Sequence, residues 1–377
     1  MILSQEHQML RDAVRQYARE QLAPNAAAWD RDHHFPQEAL KGLAAMGLYG
    51  IAIPEEWDGA GMDYTALSLA IEEIASGDGA TSTIIQVTNL AAGILSGYGS
   101  AAQKERYLRP LARGEMLGAF ALTEPHAGSD AGAIRTRAER SGDAWVLNGV
   151  KQFITSGKHG DVAVVFAVTD REAGKKGISA FVVPTATPGY SVSHVEDKTG
   201  QHASDTAQIT LDGCRIPAEN LLGAEGEGYR IALANLESGR INVAAQSVGM
   251  AQSALNAALA YAGERTSFGK PLIGHQAVSF RLADMATATE AARQLYLHAA
   301  SLRDLGLPCL KEASMAKLFA TEAAEKVCSD AIQIHGGYGY VRDFPVERIW
   351  RDVRVTQIYE GASDIQRLVI GRALTGG

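Results

Sequence analysis

Cysteine is scarce in this chain of 377 residues: Cys214, Cys309 and Cys328 form an odd, scattered trio. No C-x-x-C pair occurs, so the spacing predicts neither a disulfide framework nor a metal cluster, and it points to a reducing compartment. Long apolar runs are also missing. The longest, Val162 to Val168, is far short of the ~20 residues a membrane helix needs. There is no basic surplus either. A net charge of −8 and a pI near 5.7 exclude nucleic acid or an anionic membrane as the main partner, although local basic groups can still hold a phosphate. Walker A and H-E-x-x-H motifs are absent. Gly97-Tyr98-Gly99-Ser100-Ala101-Ala102 imitates a loose G-x-G-x-x-A but follows a helical segment, so no Rossmann turn is expected there. The start, Met1 to Glu6, runs straight into an amphipathic helix with no signal-peptide pattern, and a cytoplasmic location is expected.

The composition, 46% hydrophobic and 21% charged, is that of a soluble globular protein. Its length suffices for two or three domains. The apolar period changes twice along the chain. Leu10, Val14, Tyr17 and Ala18, then Leu67, Ile71, Ile74 and Ala75, follow helical spacing. Ser100 and Gln103 make a capping box. From about Leu117 to Pro217 short β-type runs alternate with turns. Trp145–Leu147, Asn148-Gly149 and Val150–Thr155 read as a hairpin with a type I′ turn. Three long helical stripes follow, over 231–262, 276–305 and 310–334, ended by Gly306-Leu307-Pro308 and Gly336-Gly337. The expected architecture is mainly α with a central β domain: an N-terminal helical domain (1–116), a β-barrel or sandwich (117–226) and a C-terminal four-helix bundle (227–377).

Near the C-terminus, Gln357 to Arg367 places Glu360 beside Gly361, just before an apolar helix. Ser363 and Gln366 read as an S-x-x-Q capping box, with Leu368, Val369 and Leu374 as the stripe. A carboxylate on such a loop can be aimed into a pocket; the plainer alternative is a helix start with a solvated glutamate. Glu237-Ser238-Gly239-Arg240 lies inside a helix, where glycine costs about 1 kcal/mol relative to alanine. A ligand or a close helix would explain that space. Arg240 can pair with Glu237 or with a substrate phosphate. The loop Leu122 to Asp130 offers hydroxyls, a Pro-bounded turn and backbone N–H groups for an anion or a flavin edge. Gln152 to Gly157 sets an aromatic among hydroxyls. Arg265 to Lys270 is a basic, Gly-containing loop that can hold a pyrophosphate. His33-His34 is expected to be a solvated pair.

Taken together these segments resemble the acyl-CoA dehydrogenase family over essentially the whole chain. The match includes Pro54 to Met62, Leu122 to Asp130, Phe153-Ile154-Thr155, Arg265 to Lys270, His275-Gln276, Gln333 to Tyr338 and Tyr359-Glu360-Gly361. The resemblance implies a homotetramer with one FAD per subunit between the β domain and the bundle. It implies flavin contacts from Phe120, Leu122, Thr123, Ser129, Phe153, Thr155, Arg265, Phe268, Gln276, Gln333, Gly337, Ser363 and Asp364, partly across a subunit boundary. Ser129, Glu237, Arg240 and Gly361 match substrate positions, and Glu360 matches the catalytic base. The implied reaction turns an acyl-CoA into a trans-2-enoyl-CoA: Glu360 removes the α-proton, the β-hydrogen leaves as hydride to flavin N5, and an electron-transfer flavoprotein collects the electrons. Some relatives carry the base on the helix holding Gly239; a glycine there favours Glu360. No arginine lies between Arg31 and Arg106, which disfavours a glutaryl substrate. Ala362, Phe153 and His126 depart from common family residues. Polar Gln86, Thr88 and Asn89 hint at a short or functionalised acyl chain. The rivals are a desulfinase or flavin oxidase on the same fold, and a non-catalytic acyl-CoA-binding protein.

Overall fold

The computed structural model describes residues 2–376. The N-terminal part holds α1 (Gln5–Tyr17), α2 (Ala23–Asp32), α3 (Gln37–Ala45), α4 (Tyr64–Gly77), α5 (Gly79–Tyr98), α6 (Ala101–Gln103) and α7 (Arg109–Ala112). Val14 of α1 and Ala18 just beyond it join Ile71 and Ile74 of α4 in one core, as their spacing requires. Both bonds of the Ser100–Gln103 capping box are present. His33 ends α2 with a left-handed backbone and stacks on His202 at 4.3 Å; His33 and His34 are both exposed, as expected.

Eight strands follow: β1 (Gly118–Ala121), β2 (Arg137–Ser141), β3 (Ala144–Thr155), β4 (Val162–Val168), β5 (Ile178–Pro184), β6 (Tyr190–Val195), β7 (Thr206–Pro217) and β8 (Leu221–Leu222). They form one sheet in the order β6-β7-β3-β2-β4-β5-β8, with β1 parallel to β4. The apolar run of β4 is buried on both faces. Val162, Val164 and Phe166 pack with the N-terminal helices, while Ala163, Val165 and Ala167 meet Trp145, Leu147 and Ile209 inside the folded sheet.

The expected hairpin at Asn148-Gly149 is absent. Residues 144–155 form one continuous strand, and the register on β7 shifts between Leu147 and Gly149. Gly149, at φ +156°, sits in that bulge against Thr136, where a Cβ would lie 2.4 Å from the Thr136 hydroxyl oxygen. The turn is one element earlier, at Ser141–Ala144, where β2 meets β3.

The C-terminal part contains α8 (Gly228–Glu264), α9 (Gln276–Asp304), α10 (Leu310–His335), α11 (Val346–Val353) and α12 (Ser363–Thr375). From Ser238 to Ala251 every residue of α8 is buried. Such a helix belongs at the centre, and it contacts α4, α5, α9 and α10. Polar anchors bind bundle to N-terminal helices: Asp304 accepts from the N–H groups of Tyr64 and Thr65 at 2.7 and 3.1 Å, and Glu72 accepts from Arg293 at 2.9 Å and from the Tyr296 hydroxyl.

Candidate active site

Glu360 sits in the turn before α12 with φ +53°, and Gly361 follows at +89°. A left-handed non-glycine residue costs of order 1–2 kcal/mol and persists only where its surroundings over-determine it. Three helices do so here. From α12, the fully buried Gln366 side chain donates to the Glu360 and Gly361 carbonyls at 3.2 and 2.8 Å. From α10, Lys317 Nζ donates to the Gly361 carbonyl at 2.7 Å. From α8, Gln246 Oε1 accepts from the Tyr359 hydroxyl.

The expected capping box is therefore not formed. The helix does begin at Ser363, but Ala362 occupies the cap and no side chain caps it. Gln366 is spent on the Glu360 turn, and Ser363 Oγ is buried without a partner. The expected stripe is not buried either: Leu368 and Leu374 are 46% and 68% exposed. Asp364 is exposed.

The Glu360 carboxylate reaches across to α8. A Cβ built on Gly239 would lie 1.8 Å from Glu360 Oε2 and 2.7 Å from its Cδ. The missing side chain at Gly239 is thus the room the carboxylate occupies. Oε2 is sealed from solvent and makes no hydrogen bond. Burial drives the Glu360 pKa up to about 7, against the opposing pull of the Lys317 and Arg240 charges. Arg240 does not hydrogen-bond Glu237. It is buried, its closest side-chain partner is Ser314 Oγ at 3.5 Å, and its Nε has no partner. Glu237 instead accepts from Cys309 Sγ at 3.3 Å. The two cations beside the carboxylate therefore belong to its own environment, not to a surface phosphate site.

The loop Leu122 to Asp130 lies on the end of β3. The Leu122 carbonyl accepts from Lys151 Nζ at 3.1 Å, and the Thr123 carbonyl from the Gln152 N–H at 2.9 Å. The second register shift of β3, between Lys151 and Ile154, turns Phe153 outward: its φ is +58° and it is 63% exposed. Phe120 packs edge-on against Phe166, Thr155 pairs with Thr206, and Ser129 is exposed. Sequence reasoning missed what holds this loop. Glu124 accepts from the Arg135 and Thr136 N–H groups at 2.6 and 3.0 Å and from the fully buried Lys151 at 2.8 Å. A lysine beside Val150 in a β-type run, with Glu124 in the loop before it, was the available signal.

Arg265, Phe268, Gln276, Gln333 and Gly337 gather elsewhere, and all are exposed. The Arg265 guanidinium lies over Tyr338 at 5.6 Å, next to Gly337, and Phe268 is 96% exposed with φ +49°. Arg265 closes the C-terminal end of α8, 26 residues beyond Gly239. At 1.5 Å per residue that is about 39 Å along the helix. Within one chain the residues that the resemblance implies for the flavin therefore fall into two separate groups. Each group fits its share. Near Glu360 the free N–H groups at the start of α12 and the orphaned Ser363 Oγ await a polar partner. At Gly337 a Cβ would meet nothing within 4 Å, leaving backbone open to a ligand.

Gln86, Thr88 and Asn89 are buried and turned to internal partners. Gln86 donates to Gln246 at 2.8 Å, Thr88 Oγ1 accepts from the Gly118 N–H at 3.3 Å, and Asn89 donates to the carbonyls of Leu48 and Ile85 at 2.9 and 3.0 Å. Most of their polar atoms are satisfied internally, while Gln86 Oε1 is buried without a partner among the described residues.

Family profiles for the N-terminal, middle and C-terminal domains of acyl-CoA dehydrogenase match residues 4–115, 119–214 and 226–375. An acyl-CoA dehydrogenase of Bacillus subtilis is 48% identical over the full length of both chains. The chain belongs to the acyl-CoA dehydrogenase family. It is an oxidoreductase of the class acting on a CH–CH bond with a flavin acceptor. The mitochondrial short-chain specific acyl-CoA dehydrogenase of Mus musculus is 49% identical, covering 98% of this chain and 90% of that one. Among solved structures, butyryl-CoA dehydrogenase from Megasphaera elsdenii superposes with a TM-score of 0.98 at 40% identity, covering 100% of this chain and 99% of that one. Family members bind the flavin: a glutaryl-CoA dehydrogenase from Mycobacterium smegmatis, solved in complex with FADH2, has a TM-score of 0.94 at 32% identity, covering 100% of this chain and 96% of that one. Among the described residues no helix is long and apolar enough to cross a membrane.

Proposed function

We propose that this acyl-CoA dehydrogenase oxidises a short-chain acyl-CoA to the trans-2-enoyl-CoA, with Glu360 as the base that takes the α-proton. The observation that carries the reading is the Glu360 carboxylate: buried, unpartnered at Oε2, and held in space that only Gly239 leaves. An α-hydrogen beside a thioester is weakly acidic, and a solvated carboxylate is a poor base for it. Desolvation strengthens the base, and a pKa near 7 keeps it usable at neutral pH. As Glu360 becomes neutral, Lys317 and Arg240 keep positive charge at the site, which favours negative charge on the substrate enolate. FAD, when bound, supplies the acceptor for the β-hydrogen and the two electrons. Phe153, Thr123 and Ser363 would face its ring end, and Arg265, Phe268, Gln276, Gln333 and Gly337 the FAD of a neighbouring copy in a homotetramer. An electron-transfer flavoprotein would reoxidise it.

Short chains are favoured by two observations. The similar enzymes from mouse and Megasphaera elsdenii are named for short acyl groups. Next to Glu360, the Tyr359 hydroxyl donates to Gln246, which accepts from Gln86 and donates to Ser82 and Thr83 at 2.9 and 2.7 Å, so side chains fill that side of the turn. The test is anaerobic titration of the flavin-loaded protein with acyl-CoAs of increasing length. Rapid bleaching of the flavin band by butyryl-CoA, with little by long chains, is the expected outcome. A bound flavin that no acyl-CoA reduces would shift the reading to a desulfinase or a binding protein. The reductive rate should also rise with pH through about 7 in the free enzyme, because the active form is the carboxylate and burial has raised its pKa. A rate flat from pH 5.5 to 8.5 would count against Glu360.

A further inference from the structure

We infer that Lys317 is a positioning residue for the base: from the middle of α10 it pins the Glu360–Gly361 turn and sets the pH at which Glu360 works. This rests on the acyl-CoA dehydrogenase reading above. The geometry is specific. Lys317 is fully buried, and among the described residues its Nζ finds one acceptor, the Gly361 carbonyl at 2.7 Å. A buried ammonium is costly unless paired or hydrogen-bonded, and lysine is rarely found fully inside a helix packing surface. Its neighbours on α10, Ala313, Ser314, Ala316, Ala320 and Thr321, are small and buried, and among the described residues the Gly361 carbonyl and the Glu360 carboxylate answer the charge.

The bond acts on the residue next to Glu360. The Gly361 carbonyl also accepts from Gln366 at 2.8 Å, so the peptide after the base is gripped by one donor from α10 and one from α12. That grip resists the relaxation of Glu360 out of its left-handed conformation, which would swing the carboxylate away from Gly239. The electrostatic part is separate. The charged and titratable groups around the Glu360 carboxylate are Lys317 on α10, Arg240 on α8, Tyr64 on α4 and Tyr359 on the turn itself. Only the first two are cationic. Both favour the carboxylate, and Lys317 is the larger opponent of its desolvation. Burial in turn brings the Lys317 pKa down to about 8, with Glu360 holding it up and Arg240 pressing it down. Loss of the Lys317 charge therefore leaves burial less opposed, and the Glu360 pKa must rise.

The two parts separate in two variants. Lys317→Gln keeps an N–H donor for the Gly361 carbonyl and removes the charge; Lys317→Met removes both. Acetyl-CoA is a suitable probe. It has α-hydrogens but no β-carbon, so deuterium exchange at its methyl group in heavy water reads base action without a hydride step. With flavin-loaded protein, Lys317→Met should lower the exchange plateau about tenfold and move the pH midpoint up by about one unit. Lys317→Gln should recover most of the plateau while its midpoint stays raised. Variants that melt earlier but keep the wild-type midpoint and plateau overturn the inference, because a purely structural lysine would behave that way. Should the methionine variant not fold, the midpoint of the glutamine variant decides alone. A wild-type protein inert both to exchange and to bleaching by butyryl-CoA overturns the assignment of Glu360 itself and this inference with it. Wild-type activity in both, with unshifted variants, overturns the role of Lys317 only.

Discussion

Glu360→Gln is expected to cut the rate of flavin reduction by butyryl-CoA by roughly four orders of magnitude while flavin and acyl-CoA still bind. The amide is nearly the same size, so the turn and its grip by Gln366 and Lys317 persist: both bonds end on backbone carbonyls, not on the carboxylate. What disappears is the acceptor for the α-proton. Stopped-flow reduction gives the rate, and equilibrium binding of a non-oxidised acyl-CoA gives the affinity. The variant should also lose the pH step near 7, since the group responsible no longer titrates. A variant keeping a tenth of the wild-type rate would show that another base serves. A variant losing affinity in parallel with rate would show that Glu360 mainly shapes the pocket.

Gly239→Ala is expected to leave the fold intact and still damage catalysis. In a helix interior alanine is better than glycine by about 1 kcal/mol, so the melting temperature should hold or rise. The obstacle to the new methyl group is Glu360 Oε2 at 1.8 Å, the mobile end of a side chain, which can move aside at little energetic cost. Moving aside is the damage. A displacement of about 1 Å at a reacting group can cost on the order of a hundredfold in rate. Thermal unfolding and kcat/KM measured together test this, and opposite directions are the expected signature. Equal activity would mean that the carboxylate works from another rotamer, and that the contact with Gly239 is incidental to the chemistry.

Much of the architecture was legible in the sequence because it rests on local signals. The three long C-terminal helices follow from apolar spacing, the start of α6 from Ser100 and Gln103, and β4 from an unbroken apolar run. The misread places are those where a residue found a distant partner better than its local one. Asn148 and Gly149 have the chemistry of a tight turn, yet β7 offers a full-length partner to residues 144–155, and glycine's freedom goes into a bulge. Ser363 and Gln366 have the spacing of a capping box, yet the Gln366 amide reaches the carbonyls of Glu360 and Gly361.

Residues alone determined the family resemblance and the α-β-α order and made Glu360 the candidate base, since a glutamate on a loop before a helix and a glycine at position 239 can both be read in one dimension. Only the tertiary structure decided why they belong together. Residues 121 positions apart meet because α8 is buried through the bundle centre and the turn before α12 folds back onto it. The same packing sealed Oε2 from water, put Lys317 and Arg240 beside it, and set the Arg265 group about 39 Å from it along α8. Desolvation, and therefore basicity, is a property of what surrounds a group in space, which no spacing along the chain can specify.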